Sequence, residues 1–182
     1  MTYEKDYVYM YGQIMSTYAY LLSGVFPEAD GYAEIARKCY IVGGETGTAA
    51  AVLCSLGVPI KLGGTHPGRA NAALITEYFA DKCADISELK YEDFEGVNDY
   101  VIIDKNTRTC FGEWEKLYSR GKPFYEPPCE NSIKNAKCAA ADPYFGDEAA
   151  ELCVKHGVKY VTIDCAYDSY TPVSYTHLTL PT

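Results

Sequence analysis

The chain has 182 residues, of which 48% are hydrophobic and 23% charged, values typical of a folded globular protein. Its net charge of −9 argues against non-specific binding to nucleic acid, which needs a basic surface. No apolar run approaches the length of a membrane span, and the start, "MTYEKDYVYMYG", lacks the basic and apolar regions of a secretory signal. We therefore expect a cytoplasmic protein whose partners include neither nucleic acid nor a membrane.

Eight cysteines are spread along the chain, and no two of them form a C-x-x-C pair. Close pairs of that kind are typical of zinc sites and redox motifs. We expect reduced thiols, mostly buried as small apolar side chains, and no metal site.

The first predicted elements are extended. "DYVYMYGQI" is a β-rich run that ends at Gly12, and residues 16 to 44 favour partly exposed strands around the turn "FPEADG". Residues 46 to 56 are predicted to form a helix of small and apolar residues that Gly57 terminates. A short buried strand, "VPIKLGG", follows, and then a second helix over 68 to 83, where apolar residues recur at helical spacing.

The second half predicts a hairpin and a parallel unit. "DYVIIDKNTRTCFGEW" is predicted to pair strands at 100 to 103 and 109 to 114, and "LYSRGKPFYEPPCENS" is predicted to be a loop. "AKCAAAD", "GDEAAELCVKHG" and "VKYVTIDC" predict a strand, a helix capped by Gly157 and a strand, the pattern of a right-handed parallel βαβ unit. The expected architecture is α/β, with an extra antiparallel β piece from the first forty residues and the hairpin.

A glycine-rich turn joins the third strand to the first helix in "YIVGGETGTAAAVLCSLGVPIKLGG", which contains the pair Gly43-Gly44. Turns of this kind commonly present backbone N–H groups to a ligand. Neither the dinucleotide fingerprint G-x-G-x-x-G nor the phosphate loop G-x-x-x-x-G-K-[ST] is spelled here. The turn therefore serves a different ligand, or only the fold.

The last ten residues, "VSYTHLTLPT" at 173 to 182, resemble the translation of a sequencing adapter. They follow the last predicted strand with no further helix to cover it. We interpret them as a non-native tail and residues 1 to 172 as the native part. A genuine polar C-terminal tail is the alternative.

In order and spacing, these elements resemble the N-terminal half of the ribokinase-like, or PfkB, sugar kinase family. The resemblance rests on the strand ending at Gly12, the "FPEADG" turn, the Gly43-Gly44 pair with its small-residue helix, and "KLGGTHPG", which has Thr65 where the family motif G-x-D-x-x-G has Asp. "AAADPYFG" and "VKYVTIDC" match later strands of the family core. The resemblance implies a truncated Rossmann-type parallel sheet with helices on both faces, plus a small β lid from segments at about 15 to 42 and 99 to 114.

The resemblance also implies a sugar site. Sugar hydroxyls need several hydrogen-bond partners on one concave surface, and paired glycines let the backbone approach closely. The family's first Asp corresponds to Thr17, the Asn after its glycine pair to Thr48, its middle-strand acid to Asp142, and a further Asn to Met15. The candidate substrate-binding residues are Thr17, Gly43, Gly44, Thr48, Asp142 and Arg108, the last on the lid hairpin. A strand, helix or surface role is the alternative for Thr17, Thr48 and Arg108.

The family's reaction moves the γ-phosphoryl group of ATP, with Mg²⁺, to a hydroxyl group, and an Asp in a G-A-G-D-like motif acts as the base. No G-x-G-D occurs here, and Asp147 in "YFGDEAAE" is interpreted as an ordinary first-turn helix acid. No catalytic residue and no metal ligand is predicted in this chain. The resemblance places the ATP and Mg²⁺ sites in a missing C-terminal half, so the fragment alone is expected to be inactive.

The leading hypothesis is the substrate-binding N-terminal part of an ATP-dependent sugar or nucleoside kinase, for which the family's lid pairing implies a homodimer. The alternative is a non-catalytic sugar-binding or regulatory protein of the same fold, consistent with threonine in place of Asp at position 17. A third hypothesis, the nucleotide-binding domain of an oxidoreductase, is disfavoured by the missing fingerprint and the lid-like β segments.

Overall fold

The computed structural model describes residues 6–91, 94–142 and 144–163. The segment interpreted as a non-native tail, 173–182, lies outside these residues. The elements in chain order are β1 (Val8–Gly12), β2 (Met15–Leu22), β3 (Ile35–Gly43), α1 (Glu45–Ser55), β4 (Ile60–Gly64), α2 (Arg69–Ala80), β5 (Ala84–Asp85), β6 (Asn98–Ile103), β7 (Arg108–Gly112), α3 (Trp114–Tyr118), α4 (Glu130–Asn135), β8 (Cys138–Ala141), α5 (Gly146–His156) and β9 (Lys159–Thr162).

The first sheet is parallel and has the strand order β5-β4-β1-β8-β9. Successive side chains of the central strand β1 point to opposite faces of this sheet. Met10 packs in a core cluster with α1 and α2, whereas Tyr9 and Tyr11 pack in another cluster with α4 and α5. Helices therefore cover both faces of the sheet, as predicted.

The second sheet has the order β3-β2-β6-β7, with antiparallel pairs at its two ends and a parallel pair, β2 and β6, in the middle. On one face, Tyr18 stacks on its cross-strand neighbours Tyr40 and Tyr100, with ring centroids 4.4 and 5.4 Å apart. Aromatic cross-strand pairs of this kind stabilise a sheet. This sheet is the extra β piece that the sequence predicted, but its central pair, β2 and β6, is parallel rather than antiparallel.

Two short helices differ from the sequence predictions. The hairpin ends at Gly112, and Trp114, predicted to lie in its second strand, begins α3, in which Leu117 is buried against Met15 and Val97. The helix α4 begins at Glu130, near the end of the stretch predicted to be a loop, and extends past that stretch to Asn135. The prolines that suggested a loop lie before this helix, where proline does not disturb helical hydrogen bonds.

Seven cysteines fall among the described residues, all as free thiols. Only Cys54 and Cys153 are buried, so the expectation that most would be buried is wrong. The two exposed thiols lie at sheet edges, since Cys83 directly precedes the edge strand β5 and Cys110 lies on the edge strand β7. Within the described ranges, no three His, Cys, Asp or Glu side chains are grouped to hold a metal ion. None of the helices there has the length and apolar character to cross a membrane.

Candidate functional site

The candidate site lies where β1, β4 and β8 end, at one edge of the parallel sheet. Gly12 ends β1 with φ 147°, and a Cβ atom added there would lie 1.9 Å from Oδ2 of Asp142. Gly64 ends β4 with φ 132°, and a Cβ atom there would lie 2.1 Å from the carbonyl oxygen of Gly12. Ligands of open α/β sheets bind beside this edge, and the two glycines allow the strand ends and the carboxylate to meet closely.

Asp142 is completely buried directly after β8. Its Oδ2 accepts hydrogen bonds from the backbone N–H of Gln13 and, at 3.1 Å, from the hydroxyl of Thr46. Its Oδ1 accepts a hydrogen bond from the N–H of Tyr144 at 3.1 Å. A carboxylate accepts about four hydrogen bonds. Asp142 therefore uses most of its capacity to join the turn after β1, the start of α1 and the segment after β8.

The site is acidic. Burial raises the pKa of Asp142 to about 6, the charge of Glu45 adds to the rise, and hydrogen bonds from Gln13, Thr46 and Tyr144 oppose it. Burial likewise raises the pKa of Asp99 on β6 to about 6, and the charges of Glu45 and Glu113 raise it further. Glu45, the first residue of α1, thus influences both carboxylates. Carboxylates with raised pKa values are common at functional sites.

The paired glycines bring β3 and the start of α1 close to their neighbours. A Cβ atom at Gly43 would lie 1.8 Å from the hydroxyl oxygen of Thr17, which is itself buried on β2. A Cβ atom at Gly44, whose φ is 79°, would lie 2.5 Å from the carbonyl oxygen of Gln13. Thr17 is paired in register with Asp99. The structure therefore brings together four of the six predicted residues: Thr17, Gly43, Gly44 and Asp142.

Thr48 and Arg108 lie elsewhere. Thr48 is exposed on α1 beside Ile41, Val52 and Tyr78, and does not face the same space as the buried Asp142. Residues two apart in a helix point to nearly opposite sides, so the phase of α1 directs Thr46 rather than Thr48 towards Asp142. Arg108 is exposed at the hairpin tip, about 13 Å along the strand from Asp99.

Three polar residues near the site were not predicted to have these roles. Thr46 binds Asp142, and Asp99 carries a raised pKa. Thr65, noted from the sequence only as a departure from the family motif, accepts a hydrogen bond from the N–H of Ile14 at 2.9 Å and donates one to its carbonyl oxygen at 3.1 Å. Thr65 therefore holds the turn after β1. Met15, at a position where the family has Asn, is buried in an apolar cluster.

Asp99→Asn is expected to raise the free energy of unfolding at pH 7 and above by about 1 kcal/mol. The folded state binds the Asp99 proton more tightly than the unfolded chain does, so ionisation between the ordinary aspartate pKa of 3.8 and the raised pKa of about 6 costs stability. Full linkage would give roughly 3 kcal/mol of stability, which solvent screening at this partly buried side chain reduces. Urea unfolding at several pH values checks this result.

In that experiment the advantage of Asp99→Asn should disappear below about pH 4, where both states hold the proton. Glu77→Gln, an exposed change on α2, is the matched control and should give no such pattern. If Asp99→Asn raised the free energy of unfolding by the same amount at every pH, the raised pKa of Asp99 would be contradicted.

The comparisons with known proteins concern the fold. No protein-family model and no curated protein matches the sequence. The structure resembles a nucleoside kinase from Methanocaldococcus jannaschii, an archaeal member of the ribokinase family, with a TM-score of 0.65 and 22% identity over 91% of this chain and 54% of that one. It also resembles Arabidopsis thaliana ribokinase complexed with ribose and ATP, with a TM-score of 0.65 and 14% identity over 86% of this chain and 53% of that one. For Thermotoga maritima ribokinase the TM-score is 0.64, with 10% identity over 92% of this chain and 55% of that one.

These likenesses confirm the predicted ribokinase-like fold. The chain spans about half the length of each of these solved kinases, which is consistent with an N-terminal fragment.

Proposed function

We propose that this chain is the acceptor-binding N-terminal part of an ATP-dependent kinase that transfers the γ-phosphoryl group to a hydroxyl of a sugar or nucleoside. The observation that carries the proposal is the convergence of Thr17, Gly43, Gly44 and Asp142 at the carboxyl edge of a ribokinase-like sheet. The solved neighbours with this fold are described as sugar and nucleoside kinases, and one was solved with ribose and ATP.

The proposed contacts follow from the hydrogen-bonding capacity of each group. The paired glycines let β3 and the start of α1 pack directly against Thr17 and Gln13, where a Cβ atom would collide, so in this proposal they set the position of Thr17 and of the turn after β1. The Thr17 hydroxyl both donates and accepts, and an ionised Asp99 accepts hydrogen bonds from hydroxyls. Asp142 is a positioning residue in this proposal, because most of its hydrogen-bond capacity serves Gln13, Thr46 and Tyr144.

The proposal assigns ATP and Mg²⁺ to the remainder of a longer protein. The described residues offer no cluster of three His, Cys, Asp or Glu that suits a metal, and the sequence has no G-x-G-D motif. Phosphoryl transfer depends on positioning both reactants and stabilising the charge that develops. On this proposal the chain supplies only the acceptor side.

Thr17→Val is expected to weaken binding of the preferred sugar or nucleoside by about five- to tenfold, because one neutral hydrogen bond contributes about 1 kcal/mol. The change keeps the shape of the side chain and removes its hydroxyl. Isothermal titration of the full chain against a panel of pentoses, hexoses and nucleosides checks this.

Thr48→Val on the same chain is the matched control and should leave the affinity unchanged, since Thr48 is exposed on another surface. If Thr48→Val weakens binding and Thr17→Val does not, the site has been placed on the wrong side of α1. If no member of the panel binds the folded chain, the proposed function fails.

A non-catalytic sugar-binding or regulatory protein of the same fold is the second candidate. The observation that favours it is the uncharged Thr17 at the position where the resemblance expects a carboxylate. The two candidates differ in whether the longer protein consumes ATP. The lid role of the second sheet, a homodimer through it and a cytoplasmic location stay predictions.

A further inference from the structure

Two thiols meet at the end of α1 opposite the candidate site. Cys54 is buried in the last turn of α1, and Cys83 is exposed just before the edge strand β5. The Cys83 thiol donates a hydrogen bond to the carbonyl oxygen of Val58 at 3.2 Å, and its sulfur lies 4.0 Å from the carbonyl oxygen of Cys54. Cys83 also contributes to the raised pKa of the Cys54 thiol, an effect that acts only between close neighbours. The two sulfur atoms are therefore neighbours in the folded chain.

We propose that Cys54 and Cys83 are a thiol–disulfide switch, which closes into an intramolecular disulfide when the protein meets a small-molecule disulfide such as oxidised glutathione. The exposed Cys83 loses its proton to solvent, and its thiolate attacks one sulfur of the oxidant, forming a mixed disulfide and releasing one small thiolate. Cys54 then loses its proton and attacks the Cys83 sulfur, which releases the second small thiolate. Two protein thiols are oxidised to one disulfide, and one small disulfide is reduced to two thiols.

The surroundings assign the order of these steps. Cys83 is exposed, so a dissolved oxidant reaches it first. Cys54 is the resolving thiol because it is buried behind Cys83. Burial raises the pKa of Cys54 to about 11, and the contact with Cys83 contributes to the rise, so its thiolate is scarce at neutral pH. Ring closure should therefore be slow at neutral pH and should speed up as the pH rises.

The disulfide would join covalently two elements that only non-covalent contacts now hold together. It would attach the last turn of α1 to the chain just before β5, across the core cluster that contains Cys54, Ile60 and Phe79. Since α1 begins at Glu45 beside the candidate site, closure fixes the far end of the helix that helps to form that site. This inference does not depend on the identity of the substrate.

The test treats the folded 182-residue protein with oxidised glutathione and maps its disulfides by mass spectrometry without reduction. The expected product has lost two free thiols and contains a linked pair of tryptic peptides, 39–61 and 83–90. Because Cys39 shares a peptide with Cys54, fragmentation must assign the bond to Cys54. The rate of ring closure should rise about tenfold for each pH unit between 7 and 9, as the Cys54 thiolate fraction grows.

Cys54→Ser should stop the reaction at glutathionylated Cys83, and Cys83→Ser should remove both products. Cys110→Ser changes the other exposed described thiol and should leave the Cys54–Cys83 bond unaffected. Oxidation of the unfolded protein in denaturant is the reference. It gives the distribution of disulfide pairs that forms when no structure holds two thiols together. The proposal is overturned if the native protein gives that same distribution, or if glutathione stays on Cys83 while Cys54 remains reduced.

Discussion

Asp142→Ala is expected to lower the free energy of unfolding by about 2–4 kcal/mol at pH 7. The change leaves the N–H groups of Gln13 and Tyr144 without their acceptor, whereas the hydroxyl of Thr46 keeps the carbonyl oxygen of Tyr11, 3.2 Å away, as an acceptor. A buried donor without a partner costs about 1–3 kcal/mol. Removing a carboxylate whose pKa is raised to about 6 returns part of this cost, so the net loss is smaller than the sum. Urea unfolding followed by circular dichroism measures the difference.

Asp142→Asn separates the charge of this residue from its hydrogen bonds. An asparagine side chain has one acceptor oxygen, which can serve Gln13 and Thr46 but leaves its NH₂ group facing the N–H of Tyr144. We therefore expect a smaller loss than for alanine. Asp81→Ala, an exposed change at the end of α2, is the control and should lie within about 0.5 kcal/mol of the unchanged protein. Equal stabilities for Asp142→Ala and Asp81→Ala would show that Asp142 does not join the three segments.

Gly43→Ala is expected to lower the free energy of unfolding by about 3 kcal/mol, because the new Cβ atom would overlap the buried Thr17 side chain. The new Cβ would lie 1.8 Å from Oγ1 and 2.8 Å from Cβ of Thr17. Thr17→Gly removes both of these atoms. In a double-mutant cycle, Thr17→Gly should therefore recover about 2 kcal/mol of the loss caused by Gly43→Ala. Thermal and urea unfolding of the two single variants and the double variant measure this coupling. Additive effects would mean that Gly43 and Thr17 are not in contact.

Gly44→Ala is expected to lower the free energy of unfolding by about as much as Gly43→Ala does. Thr17→Gly should not restore this loss. The Cβ atom added at Gly44 would lie 2.5 Å from the carbonyl oxygen of Gln13, a backbone atom, and φ at this position is 79°. Gly24→Ala is the control, since nothing lies within 4 Å of a Cβ atom there, and we expect a change within about 0.5 kcal/mol. Rescue of Gly44→Ala by Thr17→Gly would contradict the geometry of the turn.

Most elements of the fold could be predicted because their signals are local. The glycine after α1 ends the helix in the expected place, and the apolar spacing over α2 identified that helix within a few residues. The five-residue helix α3 could not be found in this way, because it contains too few turns to show a period. What stabilises it is the packing of Leu117 against Met15 and Val97, residues distant in the chain.

The candidate site could be predicted only in part. The paired glycines are visible in the sequence, but the direction in which α1 leaves them depends on the backbone at Gly44. That direction decides that Thr46, not Thr48, meets Asp142. Asp99 was missed because its raised pKa results from burial and from Glu45 and Glu113, which tertiary structure brings near. No local pattern marks it.

The central claim is that this chain is the acceptor side of a sugar or nucleoside kinase, and phosphoryl transfer tests it most directly. The measurement is ATP-dependent phosphorylation across a panel of sugars and nucleosides, by the 182-residue chain and by the complete reading frame to which we propose that it belongs. We predict turnover of at least one acceptor by the longer protein, loss of that turnover in its Gly43→Ala variant, and none by the chain alone. Turnover by the chain alone would contradict the account, as would a longer protein that binds its acceptor and never consumes ATP.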